Sequence, residues 1–315
     1  MSAALTDRRQ TDENFLTEVQ NYHRQSVLRQ GAKRLICPLS AKRSKKKNMS
    51  LLKKFAGETV IYGLGSILPR VLLFALTPIL TRILGEGEYG ELGVMYAFAA
   101  LLLVFFTYGM ETALFRFGSK GGQLNKVFST AAISLLGTTI LFGGALLFFS
   151  DSVANFLEQE GQERFIRWFI YITAFDALAA LPFAKLRLEN RPIRFAVIKI
   201  VSVLVNISII LFFLLLCPFL IENGVVWFTT IYEEGRQLDY VFMANLVASA
   251  LVFLILFRNF FSFKWEFDFE LWKKMLAYSW PLILVGFAGV VNRQLDRIFL
   301  VKLLPVNAAA LTGVY

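Results

Sequence analysis

The sequence predicts an all-α polytopic membrane protein, and three observations predict it. Of its 315 residues 56% are hydrophobic and only 18% charged, too little polar surface to cover a soluble domain of that size. The apolar residues, 32 phenylalanines among them, fall in runs of about 20 to 25, the length that crosses a bilayer as helix. The polar segments between the runs alternate in charge sign, as the loops of a membrane protein do when cationic loops are retained in the cytoplasm. This placement accounts for the net charge of +10 without nucleic acid, because the excess sits in the N-terminal segment and in every second loop.

Residues 1–48 form a basic leader ending in Ala41-Lys42-Arg43-Ser44-Lys45-Lys46-Lys47-Asn48, with no apolar core that could serve as a signal peptide. Disorder on the cytoplasmic side is expected for it. Met49-Ser50-Leu51-Leu52-Lys53-Lys54-Phe55 reads as a natural start, so the chain begins either at Met49 or with a true basic tail that touches anionic lipid. Seven complete spans follow at about 58–82, 92–115, 127–149, 165–185, 195–220, 240–258 and 277–301, and an eighth begins near Ala308. Arg116, Lys120 and Lys126 follow the second span, Lys185, Arg187, Arg191 and Arg194 the fourth, and Arg258, Lys264, Lys273 and Lys274 the sixth. These loops and the N-terminus are therefore expected in the cytoplasm. The outward loops carry Glu86, Glu88 and Glu91, then Asp151, Glu158, Glu160 and Glu163, then Glu222, Glu233, Glu234 and Asp239. Residues 261–276 mix tryptophan and phenylalanine with both charge signs, as an interfacial helix would, and separate a first six-helix lobe (49–260) from the start of a second (277–315).

Arg70 lies mid-span after Pro69, where a guanidinium costs at least about 2.5–3.5 kcal/mol, so something must compensate it. Gly63, Ser66, Arg70, Thr77 and Thr81 share one helical face, which is expected to look into a bundle interior or a water-filled cavity. The competing reading is an arginine paired with a carboxylate simply to lock two helices. In the seventh span Gly286, Gly289, Arg293, Asp296 and Arg297 share a face; these charges either line the same cavity or pair and snorkel to the interface. Lys199, with Ser202 and Asn206, forms a stripe at the start of the fifth span and either joins the cavity or reaches headgroups. Glu111 and Asp176 are candidates for counter-ions or for proton-titrating coupling groups. The single histidine, His23, lies in the leader, Cys37 and Cys217 are too far apart in the topology to bridge, and neither a zinc-type ligand cluster nor an ATP-binding phosphate loop is present. Gly118-Ser119-Lys120-Gly121-Gly122 lacks phosphate-loop spacing and reads as a connector. No catalytic residue, metal site or cofactor is expected.

Four segments together resemble the polysaccharide flippases, the exporters of lipid-linked oligosaccharides within a superfamily that also holds lipid II flippases and multidrug antiporters. They are Thr77–Gly90 (TPILTRILGEGEYG), Tyr108–Phe117 (YGMETALFRF), Leu186–Phe195 (LRLENRPIRF), and Ser279–Leu284 (SWPLIL) followed by Asp296–Leu300 (DRIFL). The resemblance covers about residues 49–315 and implies the N-terminal portion of a transporter of 12 to 14 spans, whose two lobes enclose a central cationic cavity. It implies flipping of an undecaprenyl-diphosphate-linked oligosaccharide to the outer leaflet of the inner (plasma) membrane, with polysaccharide polymerase and glycosyltransferases as partners. The alternatives are a multidrug or cation antiporter, which would need an acidic cavity, and a membrane glycosyltransferase or polymerase, which would need larger outer loops. A purely structural assembly subunit would show no transport.

Overall fold

The computed structural model describes residues 57–85, 87–119, 123–156, 163–261 and 265–303, with backbone alone for 226, 259–261 and 293–303. The leader, Met49 and the expected start of an eighth span lie outside the described residues. Residues from Ile61 onward form one compact unit; of the unit before it, Gly57–Val60 are described, as helix. Among the described residues there is no strand.

The spans are α1 (Gly57–Gly85), α2 (Gly87–Thr107), α4 (Leu124–Phe148), α6 (Glu163–Leu188), α7 (Pro192–Glu222), α8 (Gln237–Phe261) and α9 (Phe269–Leu303). Short helices α3 (Met110–Gly118) and α5 (Ser150–Phe156) follow α2 and α4. Among the described residues, seven helices are long and apolar enough to cross a membrane, so the chain is a multi-pass α-helical membrane protein.

Local chemistry sets the breaks. The second span was expected to run to about 115, but it stops at Thr107: Tyr108 and Gly109 take φ values of 34° and 72°, and α3 restarts at Met110. Gly109 adopts this left-handed backbone at low steric cost. A Cβ there would also stand 3.1 Å from the Ser279 carbonyl, so the glycine lets α9 pack closely on the break. Between α6 and α7, Asn190 takes φ 53° and Pro192 opens the next helix, the usual order of a left-handed stop and a proline start. α7 widens to a π-turn at Phe212–Leu216, just ahead of Pro218, whose ring nitrogen has no proton to donate.

The segment around the expected interfacial helix is divided. Residues 265–268 are irregular, and Phe269 opens a helix that runs through the seventh span rather than forming a separate one. The irregular stretch is strapped to the start of α4. Ser129 Oγ donates to the Glu266 carbonyl (2.8 Å), the Asp268 amide donates to Thr130 Oγ1 (3.2 Å), and Lys126 pairs with Asp268 at 2.7 Å. Asp268 Oδ1 accepts the Leu271 amide (3.0 Å) and so caps α9.

Packing is centred on α6, the most buried of the spans, which lies against α8 and α4; α7 also lies against α8. One apolar layer joins Leu76, Leu80, Met95, Phe165, Phe169 and Phe242; another joins Phe183, Phe195, Ile198, Val252 and Leu256.

Candidate functional site

Tyr62, Gly65, Ser66, Pro69 and Arg70 of α1, Arg187 of α6, and Phe195 and Lys199 of α7 line one cavity of about 510 Å³. Two backbone features assemble it. A Cβ on Gly65 would fall 2.8 Å from Ala196 Cα, so the absent side chain is what lets α1 touch α7. Arg187 stands in the last turn of α6 and Lys199 in the second turn of α7, so the tight Asn190–Pro192 turn brings them to the same end of the bundle.

Arg187 and Lys199 each have a defined support. Arg187 Nη2 donates to Glu111 Oε1 at 2.9 Å, and its guanidinium lies 5.1 Å from the Phe195 ring centre and 5.6 Å from that of Phe115. Lys199 Nζ lies 4.4 Å from the Phe183 ring centre, with Asp176 as its foremost charged neighbour, then Arg187 and Glu111. Aromatic faces attract a cation without occupying all of its N–H donors, so these groups keep donors for an incoming anion. Arg70 is exposed on the cavity wall. Three cations therefore face two nearby carboxylates around one opening, which leaves an electropositive site inside an apolar bundle.

Arg70 and Lys199, which lie far apart in the sequence, thus meet in one cavity. The polar stripe of α1 divides: Ser66 and Arg70 line the cavity, while Thr77 and Thr81 bond back to the carbonyls of Leu73 (3.4 Å) and Thr77 (3.1 Å). Gly65, not Gly63, makes the close helix contact. Glu111 meets Arg187, and Asp176 is hydrogen-bonded to Ser249 while facing Lys199. The side chains of Arg293, Asp296 and Arg297 lie outside the described residues, although their helix, α9, is described. From the sequence, Arg187 reads only as a loop charge that orients the protein. Its distance of 11 residues from Asp176 is three helical turns, which puts both on one face of α6 and is the signal that could have found it. Among the described residues no three His, Cys, Asp or Glu side chains group as a metal site.

Comparison with known families decides the assignment: a family model described as "Polysaccharide biosynthesis protein" matches residues 55–315. The chain belongs to that family. Its members are the polysaccharide biosynthesis flippases, so this member is a multi-pass membrane protein of polysaccharide transport. Comparison with curated proteins and with solved structures yields no match. The family match begins two residues before the described part of α1, and it takes in the whole of the cationic cavity.

Proposed function

We propose that the chain moves a polyprenyl-diphosphate-linked oligosaccharide from the cytoplasmic to the outer leaflet of the inner membrane, and that the cavity of Arg70, Arg187 and Lys199 receives the diphosphate. The observation that carries this reading is the convergence of three cations from three helices on one cavity of about 510 Å³. Guanidinium groups bind phosphate oxygens through paired, charge-assisted hydrogen bonds, and an ammonium adds a point charge. The cavity volume falls in the range of small-molecule sites, enough for a diphosphate, while a lipid tail remains in the bilayer. About 2.3 kcal/mol per charge per 100 mV favours carrying an anion from an inside-negative cytoplasm outward, so the membrane potential pulls in the right direction. The excess of cations opposes a cationic drug and therefore the antiporter reading.

The test is export in a flippase-deficient bacterium carrying the gene, scored by surface polysaccharide and by accumulation of the inner-leaflet intermediate. Restored polymer with the intermediate cleared is expected, and Arg70→Ala should abolish both while still inserting in the membrane. Unchanged export by Arg70→Ala would remove the assigned role. Polymerase and glycosyltransferases that use the same lipid are the proposed partners, to be sought by crosslinking in the membrane.

A further inference from the structure

A second polar cluster lies next to the cationic cavity, at mid-length of α2, α6, α7 and α8, and a diphosphate held by the cations does not account for it. Asn206 Nδ2 of α7 donates to Asn245 Oδ1 of α8 at 3.1 Å, and Asn245 Nδ2 in turn bonds the Tyr96 hydroxyl of α2. One turn along the same face of α8, Ser249 is hydrogen-bonded to Asp176 of α6. Asp176 is a charged neighbour of both Tyr96 and Lys199, so the cluster continues from the cavity wall into the bundle.

The exposure of these groups is uneven. Tyr96 is 36% exposed and Asp176 is exposed, so the polar groups of both can be reached by a ligand. Asn245 is half-buried, and Asn206 is only 8% exposed, yet its Oδ1 has no hydrogen-bond partner among the described residues. Asn206 therefore sits behind Asn245 and orients its amide, which is the one that faces the accessible side of the cluster. The Tyr96 ring is held edge-on to Phe169 at 5.6 Å, which fixes the direction of its hydroxyl.

We propose that Tyr96, Asp176, Asn206, Asn245 and Ser249 form a subsite for the first sugar of the lipid-linked chain. The assignment rests on the diphosphate reading of the neighbouring cavity, because the first sugar is bonded directly to the diphosphate and must lie beside it. Sugar hydroxyls both donate and accept, and amide, phenol, hydroxyl and carboxylate groups together supply both halves of that pairing. A neutral, hydroxyl-rich group also suits a cluster whose members, Asp176 apart, carry no charge. The subsite would make these five residues determinants of which sugar is accepted.

Binding to the full chain in lipid nanodiscs tests the assignment. The probes are undecaprenyl diphosphate alone and the same lipid carrying a hexose, an N-acetylhexosamine or a 6-deoxyhexose. The unmodified protein should bind at least one sugar-bearing lipid about tenfold more tightly than the sugar-free lipid, the worth of one or two hydrogen bonds. Tyr96→Phe, which keeps the ring against Phe169, and Asn245→Ala should each bring that ratio close to one. No preference for any of the three sugars overturns the proposal, as does a preference that both variants keep. Parallel loss of all four lipids identifies the cluster as helix glue and overturns it too. Arg70→Ala separates the two readings: if it leaves every lipid bound as before while the sugar preference persists, the diphosphate reading fails and the sugar subsite stands.

Discussion

Arg187 is held on three sides, by Glu111 at 2.9 Å and by the rings of Phe115 and Phe195. An arriving phosphate must compete with the Glu111 carboxylate, and in a pair whose side chains are 40% and 33% exposed that competition is modest. Glu111→Gln should therefore tighten the binding of inorganic pyrophosphate by roughly fivefold, about 1 kcal/mol, as read by calorimetry on the purified protein. Looser binding would mean that Glu111 positions Arg187 rather than competing for it. Asp268 is the residue for which a pH dependence follows. The Lys126 hydrogen bond, then the Leu271 amide, hold its carboxyl below the usual carboxylate range. A depressed folded-state value contributes stability above the unfolded value of about 4, and that contribution is lost as the pH falls through the folded value. Asp268→Asn should lower Tm at neutral pH, and the gap from the unmodified protein should close as the pH falls below about 4.

At the level of elements, the contact between α1 and α7 depends on one missing side chain. Gly65→Leu would put its Cβ 2.8 Å from Ala196 Cα, and neither helix can yield there without moving Arg70 away from Lys199. Overpacking of this kind costs typically about 1–3 kcal/mol. Export should fall about tenfold or more while membrane insertion persists, measured by surface polymer against protein level; unaltered export would show that the two helices need not touch. Gly109 serves the second break. Its φ of 72° and the Ser279 carbonyl beneath it make Gly109→Val strained twice over, and the same α9 contact is clamped by the Arg116 guanidinium 4.2 Å from the Tyr278 ring centre. The periodicity of apolar runs predicted the spans to within a few residues, but not this break or the continuity of α9 from Phe269, because a hydrophobic run carries no record of backbone handedness.

For the whole molecule, the alternation of loop charge predicts a fixed orientation, with the connection around Ser119 and Gln123 inside and the loop of Gly224–Arg236 outside. Alkaline phosphatase fused in the second position should be active and in the first inactive; the reverse would invert the direction of transport as well as the topology. Composition and the length of the apolar runs determined, without coordinates, that this chain crosses a membrane many times as helices. The reason is that lipid rejects any backbone that does not satisfy its own hydrogen bonds, and a helix does so within one stretch of sequence. Local chemistry of the same kind marked Arg70 as costly in lipid and in need of compensation, and Asp176 as a candidate counter-ion. Only the tertiary structure decided what each side chain meets: Arg70 lines one cavity with Lys199 and Arg187 across α1, α6 and α7, Glu111 takes Arg187, and Asn206, Asn245 and Tyr96 bond across three helices. Periodicity places a residue on a face of its own helix, whereas the face it meets depends on how helices far apart in the chain pack, and at this cavity that packing turns on the single glycine at 65.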